Sequence, residues 1–261
     1  MCGICGKLNF DRESRVSPAL LKSMTDSIQH RGPDDEGFYL AEQVGLGFRR
    51  LSIIDLAGGH QPLSNEDETV WIVFNGEIYN YADLTAELIR LGHQFRSRSD
   101  TEAIVHAYEQ YGDACVDHLR GMFAFAIWDR RRKRLLVARD RLGIKPLYFY
   151  QCDKFLAFAS EIKSLLQIPA VSRVVNPDAL ESYLTLRYVP GPQTMFKGIS
   201  KLQPGHLMVM DDCGVRIRKY WDLEYRTDET ISADDYLGRF EELLEESVKL
   251  RLVAEVPLGV F

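Results

Sequence analysis

The sequence predicts an α+β protein in which antiparallel sheets are layered against each other and helices lie outside them. Three observations carry this. Short apolar runs rich in β-branched and aromatic residues recur along the chain, as buried strands do. Longer stretches with helical spacing separate some of them. Elsewhere two strand runs are joined by only a short basic loop, which suits an antiparallel hairpin and not the long crossover of a parallel pair.

Taken in order, the first strand run is 70–74. Asn80 then stands as the cap of a helix over 81–91, with Asp83 three residues on and Gly92 to end it. Asp100 precedes a second helix, 101–111, in which Ile104, Tyr108 and Tyr111 share a face. Strands 122–128 and 135–138 flank the run Arg130-Arg131-Arg132-Lys133-Arg134, and a further strand covers 155–159. Asn176 followed by Pro177 opens a helix through Leu186, the favoured cap-then-proline order. Near the end, Ser232 with Asp235 three residues later resembles a capping box. Tyr236, Phe240, Leu243, Leu244 and Val248 follow at helical spacing, and 255–261 reads as an apolar strand.

A chain of 261 residues with 46% hydrophobic and 27% charged residues can bury a large core without staples. Its net charge of -6 argues against a general nucleic-acid binder, and the basic run reads as a solvated hairpin loop. No apolar stretch reaches the ~20 residues that span a bilayer, and the N-terminus lacks the pattern of a signal peptide. The five cysteines are odd in number and mostly scattered, which disfavours a disulfide framework. Together these features lead us to expect a cytoplasmic protein.

Cys2 carries the chemistry. Removal of Met1 leaves a residue bearing both a thiol and a free α-amine, whose ordinary pKa values are about 8.5 and about 8. The amine can then take the thiol proton, directly or through one water, so one residue supplies nucleophile and base. With Met1 retained that nitrogen is an amide and has no basicity. The competing readings are a small buried hydrophobe, or a Cys2-Gly3-Ile4-Cys5 redox or metal pair. No second cysteine pair exists to complete a zinc site. The six histidines show no paired ligand spacing, and the chain has no G-x-S-x-G elbow, no Walker A loop and no complete dinucleotide fingerprint.

Several separated segments extend this reading: Met1-Cys2-Gly3-Ile4, His30-Arg31-Gly32-Pro33-Asp34, Arg50-Leu51-Ser52-Ile53-Ile54-Asp55, Asn75-Gly76-Glu77-Ile78-Tyr79-Asn80, Ser99-Asp100-Thr101-Glu102, Gly121-Met122-Phe123-Ala124-Phe125 and Arg139-Asp140-Arg141-Leu142-Gly143. In this order they resemble the glutamine-hydrolysing asparagine synthetases. The likeness implies a class II glutamine amidotransferase domain over 2–225 and the start of an ATP-dependent synthetase domain over 226–261. It also implies the N-terminal nucleophile hydrolase fold, a four-layer αββα sandwich.

By that resemblance Cys2 attacks the glutamine side-chain amide, forms a thioester and releases ammonia. Asn75, through its side chain, and Gly76, through its backbone N–H, form the oxyanion hole. Arg50 holds the substrate carboxylate and Asp100 its ammonium, while backbone groups of Ile53 and Glu77 add contacts. Arg50 is preferred over its neighbour Arg49 by motif alignment alone. Each role has a structural rival: Asp100 also suits a helix cap, and Asn75-Gly76 alone would read as a tight turn. His30–Asp34 is read as a rigid loop without a catalytic role, and Cys5 as packing. The glutaminase half needs no cofactor. ATP, Mg2+ and aspartate belong to the synthetase half, whose Ser-Gly-Gly-x-Asp-Ser pyrophosphate loop would follow 256–261, and the expected activity of these residues alone is glutamine hydrolysis. The resemblance also implies a homodimer. A different carboxylate acceptor, and a non-catalytic binding module, are the alternative functions.

Overall fold

The computed structural model describes residues 1–52, 59–228, 230–252 and 259. In chain order the elements are β1 (Gly3–Asn9), α1 (Pro18–Asp26), β2 (Asp35–Ala41), β3 (Val44–Arg50), β4 (Leu63–Ser64), β5 (Val70–Ile78), α2 (Tyr81–Arg90) and α3 (Asp100–Tyr111). They continue with β6 (Gly121–Asp129), β7 (Arg134–Arg139), β8 (Tyr148–Gln151), β9 (Phe155–Ala159), α4 (Ile162–Leu165) and α5 (Pro177–Leu186). Last come β10 (Ile199–Lys201), β11 (His206–Asp211), β12 (Gly214–Lys219) and α6 (Ala233–Leu250).

The strands form two six-stranded sheets, ordered β10-β8-β9-β1-β3-β2 and β12-β11-β7-β6-β5-β4, with every pairing antiparallel. Three apolar layers hold them, and strand alternation assigns each residue to its layer. Between the sheets lie Ile4, Leu8, Leu46 and Phe48 from one side and Val73, Ala126, Trp128 and Val137 from the other. Outside the first sheet, Cys5, Ala157 and Ala159 pack on Leu21 and Met24 of α1 and Leu165 of α4. Outside the second, Ile72, Phe74, Phe123 and Phe125 pack on Leu84 and Leu88 of α2 and Ile104 and Tyr108 of α3. The order helix, sheet, sheet, helix is the αββα sandwich the resemblance implied.

The basic run joins β6 to β7 as the expected hairpin, with Asp129 opposite Arg134. Its charges are paired: Arg131 with Asp67 at 2.5 Å and Arg134 with Asp113 at 2.6 Å. Two expected caps need correction. Ser99, not Asp100, caps α3 by accepting from the Thr101 N–H, because Asp100 is already helical and its carboxylate is used elsewhere. Asn80 sits at the start of α2 but makes no cap bond; its amide instead donates to the His118 carbonyl at 3.0 Å and accepts from the Arg120 N–H at 2.9 Å. Asn176 likewise opens α5 without a side-chain cap bond. The expected terminal strand at 255–261 lies outside the described residues apart from Gly259, as does Ile53. Helix α6 forms as expected, with Ser232 accepting from the Asp235 N–H at 3.2 Å.

Candidate active site

Cys2 enters the structure as the lead-in to β1, which is central in its sheet. Its carbonyl accepts from Arg31 Nε at 2.9 Å, and Arg31 Nη1 is itself held by Glu161 at 3.0 Å. The loop read as rigid therefore anchors the nucleophile backbone. Alternation places Cys2 on the same side as Ile4, between the sheets, and Cys5 on the opposite face against α1. The two thiols point apart, which removes the redox or metal pair and bears out Cys5 as packing.

The Cys2 sulfur receives the Leu51 N–H at 3.3 Å and stands at the wall of a cavity of about 80 Å³. Arg50, Asn75, Gly76, Glu77 and Asp100 line the same cavity. The choice between the adjacent arginines is decided by β3. Arg49 faces α1, where it pairs with Asp26 and with Glu36 at 2.7 Å and donates to the Thr25 carbonyl. Arg50, on the opposite face and buried, lies at the cavity.

Asn75-Gly76 is not a turn. It lies within β5, Asn75 opposite Ala124 and Gly76 opposite Phe123, because the strand runs on four residues past its apolar core. Alternation turns the N–H groups of Phe74, Gly76 and Ile78 to the edge away from β6. Gln61 Oε1 accepts from Phe74 N at 2.7 Å, and Asp100 Oδ2 accepts from Ile78 N at 3.0 Å. Gly76 lies between them on the same edge of the strand. A side chain could not stand at this position: a Cβ on Gly76 would meet the Met122 carbonyl oxygen at 2.2 Å. Asn75 is 1% exposed, and its Nδ2 has no hydrogen-bond partner among the described residues. Buried donors are rarely left unpaired, since each costs about 1–3 kcal/mol. Such a donor in one cavity with a thiol, with the Gly76 backbone beside it, can serve a developing oxyanion.

The electrostatics are those of a part-buried, charged pocket. Burial pushes the Asp100 carboxyl up to about 7, against the hydrogen bonds it accepts from the Ile78 and Thr101 N–H groups. Burial likewise raises Glu77, opposed by the cations Lys145 and Arg251. The Cys2 thiol is raised by burial, opposed by the Leu51 N–H, the terminal amine, Arg50 and Lys145. Burial thus works against ionisation of the thiol, and its cationic neighbours oppose that effect.

Lys145 escaped the sequence reading. It is 5% exposed, lines the cavity, and its ammonium donates to the Met1 sulfur at 3.4 Å. Burial lowers its pKa, while Cys2 is the largest influence raising it. Only its place just beyond the Arg139–Gly143 motif could have drawn notice. That motif is structural: Asp140 accepts from the Phe123, Leu142, Ile144 and Lys145 N–H groups, and Arg139 donates to the Gly143, Lys145 and Leu202 carbonyls, so the turn presents Lys145.

Comparison with known proteins agrees with this geometry. Residues 1–221 match the family model described as a glutamine amidotransferase domain. Across its whole length the chain is 38% identical to "Asparagine synthetase [glutamine-hydrolyzing] 3" of Bacillus subtilis, spanning 43% of that protein. It is 37% identical to "Amidase chry2" of Gibberella zeae, spanning 40% of it. The chain thus covers less than half the length of these relatives. Among solved structures, the glutamine phosphoribosylpyrophosphate amidotransferase of B. subtilis superposes on 87% of this chain and 50% of its own, with a TM-score of 0.62 at 19% identity. That likeness shows a shared N-terminal nucleophile hydrolase fold.

Proposed function

We propose, from the premise that this chain belongs to the glutamine amidotransferase domain family, that Cys2 freed of Met1 is the nucleophile that hydrolyses L-glutamine. The observation that supports this most is the buried Asn75 Nδ2, unpaired among the described residues, beside Gly76 in the cavity that holds the Cys2 sulfur.

The free α-amine takes the thiol proton, and the thiolate attacks the side-chain amide carbon. The carbonyl electron pair moves onto oxygen, where Asn75 and Gly76 donate to it; one such donor is worth about 2.7–4 kcal/mol of barrier. The protonated amine then gives its proton to the departing nitrogen, ammonia leaves, and a thioester remains. Water, deprotonated by the same amine, hydrolyses the thioester to glutamate and restores the thiol. No cofactor enters these steps.

Arg50 offers a planar guanidinium to the substrate α-carboxylate. Asp100 pairs with the α-ammonium, and that cation draws the buried carboxyl into its charged form. Recognition of both charges restricts hydrolysis to an α-amino acid. Once Met1 is gone, Lys145 loses its contact with the Met1 sulfur and its ammonium steadies the Cys2 thiolate. Glu77 and Ile53 complete the substrate contacts through their backbones.

In a longer protein the ammonia would serve ATP-dependent amidation of aspartate to asparagine, with ATP and Mg2+ held by a synthetase domain after 226. The described residues offer no phosphate-cradling loop, so no ATP step is assigned to them. A different carboxylate acceptor in place of aspartate is the second reading. Cytoplasmic location and a homodimer belong to the same proposal. Ammonia release from L-glutamine, measured with the intact mass of the chain, tests the glutaminase. It should require loss of Met1 and vanish in Cys2→Ala; hydrolysis by Cys2→Ala would overturn the mechanism.

A further inference from the structure

On the side of α3 turned away from the pocket, Glu102, His106 and Glu109 form one stripe, and His93, in the connection leading from α2, meets it. We propose that His93, His106 and Glu109 form a structural site for a borderline divalent cation, zinc being the best match. Their ligand atoms lie within 4.8 Å of one another. Glu109 Oε2 is 2.7 Å from His106 Nδ1 and 3.6 Å from His93 Nδ1. Ligands at about 2.0–2.2 Å around a tetrahedral zinc stand about 3.4 Å apart, so the set needs only slight spreading. Two imidazoles and a carboxylate are a donor set that zinc takes, with water in the fourth place.

The outer atoms argue the same way. A metal-bound imidazole ordinarily gives its other nitrogen to a carboxylate or a carbonyl oxygen. His93 Nε2 lies 3.1 Å from Gln110 Oε1, and His106 Nε2 faces Glu102 Oε1 at 3.6 Å and Glu66 Oε1 at 4.0 Å. The second oxygen of Glu109 accepts from Asn65 Nδ2 at 2.7 Å. His106 is fully buried, with the Phe95 ring edge-on at 4.6 Å and no hydrogen-bond partner for Nε2. His93 and Glu109 are thus held from behind, and the buried His106 Nε2 faces two carboxylates, while one atom of each ligand turns to a common centre.

Without metal the same atoms form a charged network. Burial draws His106 down, but pairing with Glu102 and Glu109 outweighs it and holds the ring near a pKa of about 9. Zinc would displace the proton on Nδ1, which passes to solvent. The bound ion would tie the connection that ends at Ser99 and Asp100 to the body of α3, stiffening the approach to one wall of the pocket.

The test reads binding directly, so it stands apart from glutamine hydrolysis. The metal-stripped chain carries Cys2→Ser, Cys152→Ser and Cys213→Ser, so that no accessible thiol competes, and is titrated with ZnCl2 by calorimetry. One equivalent should bind, and His93→Ala or Glu109→Gln should each weaken it by about tenfold or more. Co2+ in place of zinc should give the visible absorption of a four-coordinate ion, a readout that needs no ligand variant. Circular dichroism checks that the variants remain folded. Absence of stoichiometric zinc binding and of the Co2+ band would overturn the proposal, as would undiminished affinity in the His93→Ala, Glu109→Gln double variant.

Discussion

Asn75 and Lys145 contribute in opposite ways, and separate measurements distinguish them. In the proposed mechanism Asn75 Nδ2, unpaired among the described residues, takes its partner as charge develops on the substrate oxygen. Asn75→Ala should therefore lower kcat by about 10²–10³-fold with little change in KM; an equal loss in KM alone would remove it from the oxyanion hole. Lys145 acts on the resting thiol. Lys145→Met should raise the Cys2 pKa, read as an alkaline shift in the pH profile of iodoacetamide alkylation, and Lys145→Arg should restore most of it. Asp100 gives the pH dependence. Its carboxyl sits near a pKa of about 7 before substrate arrives and must be ionised to pair with an ammonium. Glutamine affinity should hence fall as pH drops below about 7, by about tenfold per unit, measured as Kd in the Cys2→Ala variant so that chemistry does not intrude. Asp100→Asn should weaken binding and flatten the profile.

Strand β5 shows how an element does what no single residue can. Its alternation hands Phe74 N to Gln61 and Ile78 N to Asp100, with Gly76 between them on the same edge. Gly76→Ala forces a methyl against the Met122 carbonyl, so urea unfolding should show a loss of about 1–3 kcal/mol, with glutaminase falling as well. Much at this scale was legible in the residues. The apolar cores of β5, β6, β7 and β9, the basic hairpin and helices α2, α3, α5 and α6 follow from period and composition. Helices α1 and α4 and strand β4 escaped, as did β1, β2, β3, β8 and the β10–β12 group. The latter are interrupted by glycine, as in Gly45 and Gly47, or carry charged residues on open edges, as in Arg216 and Arg218, so their hydrophobic pattern is diluted. At the site, Cys2, Arg50, Asn75, Gly76 and Asp100 were readable from motif order. Lys145 was not, because its burial depends on the turn that Asp140 builds.

At the scale of the molecule, two sheets share the inner layer that Trp128 fills, so neither can lose its partner and stay folded. Trp128, 1% exposed, contacts that layer from the middle of the second sheet. Trp128→Ala should cost about 3–5 kcal/mol and leave a single unfolding transition by circular dichroism and fluorescence together. Two separate transitions would show that the sheets fold independently. The apolar side chains of α6, Phe240 at 61% exposure among them, stay outside this shared core. The helix touches the sandwich through Arg120 with Glu246 and through Arg251 over the Tyr79 ring.

The alternation that sends Cys2 inward and Cys5 outward sets a strict count for anyone producing this protein. Upstream tags cut by a protease commonly leave a scar, and a lone extra glycine would both cap the nitrogen in an amide and crowd the space where Met1 now rests. Placing a tag at the other end, and letting the host's aminopeptidase trim the start, is the preparation in which catalysis should first be sought.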